Sequence, residues 1–322
     1  TSCAEDAWPA PRNGCLILKN FNENENENGA TFCGLVGLVG KPNVGKSTLL
    51  NYLLGQKLSI TSRKPQTTRR NLLGVDTIGA KQAIYVDTPG LHRTSGKALN
   101  KYMVKDATSA VKDVDILCFL TDCRSVIEDE EWILGLMARP RVKRLAIISK
   151  IDLLRDKQLL LPKIKNLRET KLFSDIFPVS ALRKNGLSEL RSKIFELLPS
   201  GTHLFPDDQI TDKSERFLAS EIVREKIMRQ LGDEIPHCSA VIIESFSREK
   251  KVVRIRAQIV VERDGQKRVV IGKSGDRLKK IGTEARKDLE NLLNHQVMLH
   301  LWVKVKRGWT NNSLDMGQLG YD

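Results

Sequence analysis

The chain has 322 residues, and 40% of them are hydrophobic, which is enough for one to three domains with apolar cores. Lysine and arginine outnumber aspartate and glutamate by 53 to 39, giving a formal net charge of +14. This balance favours a polyanionic partner, either nucleic acid or an acidic membrane surface, although a solvated basic surface would carry the same charge. No apolar run in the sequence approaches the length of a membrane span.

The six cysteines show no C-x-x-C spacing, and three of them fall in or beside predicted strands. Reduced, buried thiols are therefore expected rather than disulfides or a metal site, which favours a cytoplasmic protein. The cysteines lie at positions 3, 15, 33, 118, 123 and 238.

Residues 1–31 differ in composition from the rest of the chain. Residues 22–29, with the sequence NENENENG, form a polar, low-complexity tract that cannot bury a core. We therefore expect disorder across residues 1–31. Glu5, Asp6 and the glutamate repeat fit neither a secretory signal nor a transit peptide.

Strand-like apolar runs alternate with helical patterns from residue 32 to residue 198. Strands are expected at 32–39, 72–77, 82–86, 116–121, 145–149 and 176–179. Helices are expected at 46–54, 97–111, 128–138, 159–170 and 187–198. This alternation predicts an α/β domain with a mostly parallel sheet and helices on both faces. Ligands bind such sheets at the carboxyl ends of the strands.

A phosphate-binding loop follows the first predicted strand and precedes the first predicted helix, which is the context that the G-x-x-x-x-G-K-[ST] pattern requires. Its glycines let backbone N–H groups surround phosphate oxygens, and the helix N-terminus adds positive partial charge. Lys46 is expected to reach the β- and γ-phosphates, and Ser47 to bind Mg²⁺. The predicted nucleotide contacts here are Gly40, Lys41, Pro42, Asn43, Val44, Gly45, Lys46, Ser47 and Thr48.

A second motif, Asp87-Thr88-Pro89-Gly90, ends the third predicted strand. Asp87 is expected to hold Mg²⁺ through water, and the Gly90 N–H to contact the γ-phosphate. Between the two motifs lies a polar segment with two candidate switch threonines, whose hydroxyl would bind Mg²⁺ in the GTP state. Thr68 is the prediction and Thr67 is the alternative.

The sequence Ser149-Lys150-Ile151-Asp152 indicates which base is bound. A carboxylate at Asp152 can accept from guanine N1–H and N2–H₂ together, whereas adenine lacks both donors and would leave it unpaired. This argues against an ATPase or a kinase, although a helix N-cap is the alternative for Asp152. The Lys150 stem would cover the base.

A further stretch, Ser180-Ala181-Leu182, follows the last predicted strand of this domain. We expect it to complete the base pocket, with the Ala181 N–H donating to guanine O6.

Residues 199–212 contain clustered Pro, Gly and Asp, which predicts a linker to a second domain at 213–322. There Ser214 should cap a long helix, followed by strands near 239–247 and 252–262, a helix to about residue 293 and a strand at 297–305. This order is typical of the α+β KH fold of type II.

A glycine loop, Ile271-Gly272-Lys273-Ser274-Gly275, opens the later helix of this second domain. A G-x-x-G loop lets a single-stranded phosphate backbone approach closely. Together with Arg277 and Lys280, it is the predicted RNA site. Two glycines at this spacing are common by chance, so the prediction depends on the order of elements around them.

From residue 34 to the C-terminus the chain resembles Era, a family of bacterial ribosome-assembly GTPases of the translation-factor-like class. The resemblance implies GTP hydrolysis, binding to the 3′ end of 16S ribosomal RNA and a role in 30S subunit assembly. One position departs from the family pattern, because Ser149 replaces an Asn whose amide contacts the base and ties its loop to the phosphate-binding loop. The most specific matches are residues 40–47, 66–69, 87–90, 214–217, 221–225, 271–273, 302–306 and 308–309.

Leu91 follows Gly90 and cannot orient an attacking water molecule as a glutamine does. Catalysis is therefore expected to rest on positioning and charge supplied by Asn43, Lys46, Thr68 and Gly90. The resemblance implies that Asn43 helps to hold K⁺ near the β- and γ-phosphates, and simple loop packing is the alternative for Asn43.

The favoured hypothesis is a monomeric, cytoplasmic RNA-binding GTPase in which the GTP state controls the disposition of the KH domain. Its alternative is a regulatory GTPase weakly associated with the inner face of the cell membrane, coupling growth and cell cycle. The basic charge and the family association support this alternative, but no lipidation signal does.

Overall fold

The computed structural model describes residues 30–62, 64, 67–91, 108–109, 112–126, 128–138, 142–232, 235 and 238–319. The predicted disorder at 1–31 and the predicted helix at 97–111 lie almost wholly outside these ranges. No helix among the described residues is long and apolar enough to cross a bilayer.

Within the described residues, the first domain contains the strands and helices that the alternating pattern predicts, the helix at 97–111 falling almost wholly outside them. The strands are β1 (Phe32–Gly40), β2 (Leu72–Ile78), β3 (Lys81–Asp87), β4 (Ile116–Asp122), β5 (Lys143–Ser149) and β6 (Asp175–Pro178). The helices are α1 (Lys46–Leu53), α2 (Glu131–Met137), α3 (Leu160–Glu169) and α4 (Leu187–Leu197). Short 3₁₀ turns occur at Glu128–Glu130, Ile151–Leu153 and Lys157–Leu159.

Six strands form one sheet in the order β2-β3-β1-β4-β5-β6. All neighbours are parallel except β2 and β3, which pair antiparallel at one edge. The mostly parallel α/β sheet that the sequence predicts is therefore confirmed.

Strand β4 shows why this sheet is buried on both faces. Its side chains alternate between two apolar clusters, with Ile116 and Leu120 on one side and Leu117 and Phe119 on the other. All four are completely buried. A strand covered by helices on both faces reads as a continuous apolar run, as this one does.

The segment predicted as a linker, residues 199–212, is hydrogen-bonded along the edge of the first domain. The Ile210 carbonyl accepts from the Val75 N–H at 2.9 Å, and the Thr211 hydroxyl donates to the Leu73 carbonyl at 2.7 Å. Further along, Oε1 of the buried Gln82 accepts from the N–H groups of Leu204 and Phe205.

The second domain begins with α5 (Glu215–Gln230), capped by the Ser214 hydroxyl as predicted. Its sheet has the order β7-β8-β9, with β7 (Ser239–Arg248) antiparallel and β9 (Gln296–Val305) parallel to β8 (Val252–Val261). Helix α7 (Asp276–Leu293) packs on the sheet with α5 around one apolar cluster.

One further helix, α6 (Asp264–Ile271), precedes the glycine loop and was not expected from the sequence. Its last turn, Val269-Val270-Ile271, is β-branched and contributes only one buried residue, so its local pattern does not indicate a helix. The helix begins because the Gln266 side chain accepts from the N–H groups of Glu262 and Arg263.

The C-terminal segment covers one end of the second sheet. Trp309, in a 3₁₀ turn at Trp309–Asn311, is fully buried against Ala240 and Val260 and is followed by α8 (Ser313–Gln318). The Trp309 indole N–H donates to the Cys238 carbonyl at 3.3 Å.

Candidate functional site

The predicted nucleotide motifs meet at one edge of the first sheet because they follow parallel strands. Gly40 ends β1, Asp87 ends β3, Asp122 ends β4 and Ser149 ends β5. Ser180 follows β6 at the same edge. The predicted phosphate contacts thus lie at β1 and β3, the phosphate end, and the predicted base contacts lie at β5 and β6, the base end.

The phosphate-binding loop turns into α1 through Gly45, whose φ of 100° lies in the region that favours glycine. Lys46 lies inside this loop, with Nζ donating to the carbonyls of Gly40 at 3.1 Å and Lys41 at 3.0 Å. Burial lowers the Lys46 pKa to about 8, and the nearby Asp87 carboxylate opposes this shift. An anion bound beside the ammonium group would favour its charged form.

The Asp87–Gly90 loop packs directly on the phosphate-binding loop. A Cβ atom at Gly90 would lie 2.6 Å from the Pro42 Cα atom, so only glycine fits at this approach. The Thr88 hydroxyl donates to the Leu38 carbonyl at 2.8 Å, which fixes the turn. Leu91 is buried, and its N–H donates to the Gly40 carbonyl at 3.1 Å.

Two hydroxyls and one carboxylate form the candidate metal position. The Ser47 Oγ atom lies 2.7 Å from Asp87 Oδ2 and 2.8 Å from Thr68 Oγ1. Burial raises the pKa of Asp87, although Lys46 and the hydroxyl donors oppose the rise. Asp87 Oδ1 is buried and has no hydrogen-bond partner among the described residues. This set of hard oxygen atoms fits Mg²⁺.

The structure also separates the two candidate switch threonines. Thr68 Oγ1 lies 3.4 Å from Asp87 Oδ2, within the oxygen cluster. The Thr67 hydroxyl instead donates to the Lys64 carbonyl at 2.7 Å. Thr68 is thus the residue that the fold brings to the candidate metal position.

At the base end, Asp152 is held by Ser180. The Ser180 hydroxyl donates to Asp152 Oδ1 at 2.5 Å and accepts from the Arg183 N–H at 3.1 Å. Ala181 is half-buried beside this pair, whereas Leu182 is 68% exposed. The Asp152 carboxylate is therefore oriented by the loop that follows β6. Asp152 lies inside the 3₁₀ turn at Ile151–Leu153 and does not cap it.

Lys150 links the base end to the phosphate end. Its Nζ atom donates to the Asn43 carbonyl and, at 2.9 Å, to Asp122 Oδ2. Burial alone would raise the Asp122 pKa, but hydrogen bonds from Arg124 and Lys150 hold it at about 2. Asp122 is thus ionised at neutral pH and fixes the direction of the lysine side chain.

Ser149, which departs from the family pattern, still connects its loop to the phosphate-binding loop. Its hydroxyl lies 2.6 Å from the Val44 carbonyl and 3.1 Å from the Thr121 carbonyl, and the residue is buried. The shorter side chain therefore retains a loop-to-loop contact while offering no amide to the base.

The glycine loop of the second domain depends on backbone conformations that favour glycine. Gly272 has φ 77° and ψ 180°, and a Cβ atom there would lie 2.7 Å from the Arg277 Cβ atom. Gly275 has φ 84°, but the space beside it is open. These two backbone conformations let the chain turn from the end of α6 into the start of α7.

Cationic and polar side chains surround this loop at the surface. Lys273, Ser274, Arg277 and Lys280 are exposed, and Ile271 is half-buried beneath them. Arg277 also donates to the Val269 carbonyl at 2.7 Å, so it joins the end of α6 to the start of α7.

Comparison with known proteins agrees with this two-part organisation. A family profile described as 50S ribosome-binding GTPase matches residues 35–150, and a KH domain profile matches residues 234–310. GTPase Era of Pseudomonas fluorescens is 52% identical over 292 residues, covering 91% of this chain and 97% of the relative. GTPase Era of Marinobacter nauticus is 50% identical over 294 residues, covering 91% and 96%.

The chain belongs to the GTPase Era family. It is therefore a GTPase with a C-terminal KH domain.

Two solved Era structures resemble the fold over almost its whole length. One is Era in complex with MgGDPNP and nucleotides 1506–1542 of 16S ribosomal RNA, and the other is a point variant of Aquifex aeolicus Era bound to GDP·AlF₄⁻. Each has a TM-score of 0.87 and 39% identity, and covers 90% of this chain and 99% of the solved chain.

Sequence reasoning missed three residues of this Era-family site. Asp122 ends a strand at the ligand edge, and that position alone could have identified it. Asn51 and Ser59 are buried beside the phosphate-binding loop, and the Ser59 hydroxyl donates to Asp87 Oδ2 at 2.7 Å. Neither lies in a recognisable motif, so only the tertiary structure identifies them.

Proposed function

We propose that this protein is a GTP-dependent RNA-binding factor that binds the 3′ region of 16S ribosomal RNA and acts in 30S subunit assembly. The observation that carries the proposal is the likeness, over 90% of the chain, to an Era structure holding both MgGDPNP and 16S nucleotides 1506–1542. The surfaces that we propose for these two ligands are the strand ends of the first domain and the glycine loop of the second.

The nucleotide would lie along the sheet edge with its phosphates at residues 40–48 and its base between Lys150 and Asp152. Ser47, Thr68 and Asp87 would hold Mg²⁺, which supplies charge stabilisation to the phosphates when bound. Asn43, whose backbone φ of 63° is in the left-handed region, is the proposed contact for K⁺. The apolar side chain of Leu91 cannot orient an attacking water molecule, so we propose that charge and positioning supply most of the catalysis.

The proposed coupling between GTP state and RNA binding follows from contacts of the switch segment. The Arg224 guanidinium, 1% exposed on α5, donates to the Thr67 carbonyl beside Thr68. Arg69 is also buried and donates to the Ser239 carbonyl at the start of β7. A change at Thr68 would therefore reach the KH domain through its immediate neighbours.

The two separate sheets, and the segment rich in Pro, Gly and Asp between them, support the proposed domain limits. We propose a GTPase domain at 32–198, a connecting segment at 199–212 and a KH domain at 213–322, in a cytoplasmic monomer. RNA would contact Ile271, Gly272, Lys273, Ser274, Gly275, Arg277 and Lys280.

Base discrimination tests the nucleotide half of this proposal. Asp152→Asn replaces the carboxylate with an amide, which can donate to the carbonyl at position 2 of xanthine. We expect GTP affinity to fall by about two orders of magnitude and xanthosine triphosphate to become the preferred ligand. Asp156→Asn, at an exposed carboxylate that caps the next turn, is the matched control.

Binding of fluorescent GTP, ATP and xanthosine triphosphate analogues, measured in parallel, reports the preference. Equal affinity of the unmodified protein for ATP and GTP would contradict the proposed base recognition.

For the RNA half of the proposal, RNA crosslinked to the protein should be sequenced in the GTP-bound and GDP-bound states. Absence of 16S 3′-end sequences from both states would contradict the proposed target.

A further inference from the structure

The segment from Lys57 to Thr61 lies between the phosphate-binding loop and the second domain. Asn51 of α1 holds its centre through three hydrogen bonds. Asn51 Oδ1 accepts from the N–H groups of Leu58 at 2.9 Å and Ser59 at 2.8 Å, and Asn51 Nδ2 donates to the Ser59 carbonyl at 2.7 Å. The position of Ser59 is therefore set by the helix that follows the phosphate-binding loop.

From this position the Ser59 hydroxyl reaches the candidate metal position. It donates to Asp87 Oδ2 at 2.7 Å, the same oxygen that Ser47 and Thr68 approach. Asp87 Oδ1 has no partner within the described part of the chain. One carboxylate oxygen is thus surrounded by hydroxyls, and the other is left for a further ligand.

Packing gives no reason for a hydroxyl at this position. Ser59 is 5% exposed, and its chain neighbours Leu58 and Ile60 are apolar residues that are 4% and 3% exposed. Burying a hydroxyl costs free energy unless it is hydrogen-bonded, and here the bond is made to a carboxylate. The chemistry of Asp87, rather than the core, accounts for the serine.

We propose that Ser59, held by Asn51, is a positioning residue that orients the Asp87 carboxylate for Mg²⁺. Its hydroxyl is not itself a proposed metal ligand, unlike those of Ser47 and Thr68. It can therefore keep the carboxylate in place when the switch segment carrying Thr68 rearranges. The inference rests on the proposed function, because it assigns a role toward the metal of that site.

The segment also contacts the KH domain on either side of Ser59. Lys57 pairs with Glu225 at 2.5 Å, and the Thr61 hydroxyl donates to the same carboxylate at 3.2 Å. The Ser59 hydroxyl that donates to Asp87 is therefore held in place by Asn51 of α1, and the residues on either side of Ser59 contact α5.

Metal affinity, rather than turnover, tests this role. The dissociation rate of a fluorescent GDP analogue is measured against free Mg²⁺ for the parent protein, Ser59→Ala and Ser59→Cys. Mn²⁺ binding to each GDP complex is measured by electron paramagnetic resonance. Thr211→Val is the control, since it also removes a buried hydroxyl, but one that donates to the Leu73 carbonyl and not to Asp87.

We expect Ser59→Ala to raise the Mg²⁺ concentration for half-maximal retention of nucleotide by about tenfold, the lower end of typical outer-shell effects on metal affinity. Ser59→Cys, a near-isostere with a weak donor, should show a smaller shift in the same direction. At saturating Mg²⁺ all variants should retain nucleotide as the parent does. Thr211→Val should match the parent throughout.

A double-mutant cycle tests the part assigned to Asn51. If Asn51 acts through Ser59, adding Asn51→Ala to Ser59→Ala should produce little further change in the Mg²⁺ requirement. Additive shifts would overturn that part of the proposal.

Two results would overturn the role of Ser59 itself. One is an unchanged Mg²⁺ requirement in both Ser59 variants. The other is an equal loss of nucleotide with saturating Mg²⁺ and with chelator, which would show a packing role. If the parent protein bound guanine nucleotide without any Mg²⁺ dependence, the proposed function of the site would fail instead, and the two failures are thereby distinguished.

Discussion

At the scale of single residues, Ser149 shows how a shorter side chain can preserve one of two roles. An asparagine amide at this position would contact both the base and the adjoining loop. The Ser149 hydroxyl instead lies 2.6 Å from the Val44 carbonyl, so only the loop contact is retained. Under the proposed function, the base would then be recognised mainly through Asp152 and the backbone near Ala181.

Two substitutions at position 149 should have opposite effects. Ser149→Ala removes the contact to the phosphate-binding loop, and we expect GDP and GTP affinities to fall together by about fivefold, corresponding to a hydrogen bond of about 1 kcal/mol. Ser149→Asn restores the amide and should tighten GTP binding.

Isothermal titration with GDP, GTP and inosine triphosphate measures these effects. Inosine lacks the guanine 2-amino group and so reports base contacts separately from loop rigidity. Equal affinities of Ser149→Ala and the parent would show that the hydroxyl contact contributes nothing to nucleotide binding.

At the scale of elements, the loop between α6 and α7 has two glycines with different constraints. Gly272 is required by both backbone angle and space, since a Cβ atom there would contact Arg277 at 2.7 Å. Gly275 is constrained only by its positive φ. Asparagine and aspartate tolerate such an angle better than other side chains, so both can be introduced at position 275.

The pair Gly275→Asp and Gly275→Asn therefore isolates the effect of charge. The two side chains have nearly the same shape, but only aspartate repels a phosphate backbone. We expect Gly275→Asp to bind a 16S 3′-end oligonucleotide at least about tenfold more weakly than Gly275→Asn, with a shallower log–log salt dependence.

Fluorescence anisotropy across a series of salt concentrations makes this measurement. GTP hydrolysis without RNA should be alike in the two variants, because the loop lies outside the first domain. Equal RNA affinity of the two variants would contradict an RNA site at this loop.

At the scale of the whole molecule, a buried charge network joins the two domains. Glu225 of α5 is completely buried and pairs with Lys57 at 2.5 Å and with Arg229 at 3.0 Å. Asp288 of α7 pairs with Lys57 at 2.8 Å and with Lys226 at 2.5 Å. Burial would raise the pKa of both carboxyls, but these cations lower it below the ordinary value.

This network predicts a dependence of stability on pH. A carboxyl group with a lowered folded-state pKa stabilises the fold above its unfolded pKa of about 4, and that stability is lost as pH falls through the folded value. Glu225→Gln removes one of the two carboxylates. We expect it to lower the free energy of unfolding at pH 7 by about 3 kcal/mol, because it leaves buried cations under-compensated.

The difference between Glu225→Gln and the parent should shrink between about pH 5 and pH 2, as the parent's carboxyls become protonated. Urea unfolding at a series of pH values measures it. Glu244→Gln, at an exposed side chain that bonds to Gln258, is the control. A difference that stays constant with pH would show that the network does not contribute through its charge.

The sequence by itself determined the features that depend on local pattern. Apolar runs located the strands of the first sheet, most clearly the central β1 and β4, because a strand buried on both faces is apolar almost throughout. The motifs at 40–48, 87–90 and 149–152 could be assigned because phosphate and guanine chemistry require particular residue types at fixed spacing. The glycine loop at 272–275 could be recognised only from the order of the predicted elements around it, since two glycines at this spacing are common by chance.

Only the tertiary structure decided features that depend on residues far apart in the chain. Helix α6 is stabilised by its cap and its neighbours rather than by its β-branched last turn. Glu225 reads as an ordinary surface charge on α5, yet it is buried because the helix lies between two domains. Ser59 lies in no recognisable motif. Its proposed role toward the metal depends on its hydrogen bonds to Asn51 on one side and Asp87 on the other. Long-range packing sets these positions, and no spacing along the chain records it.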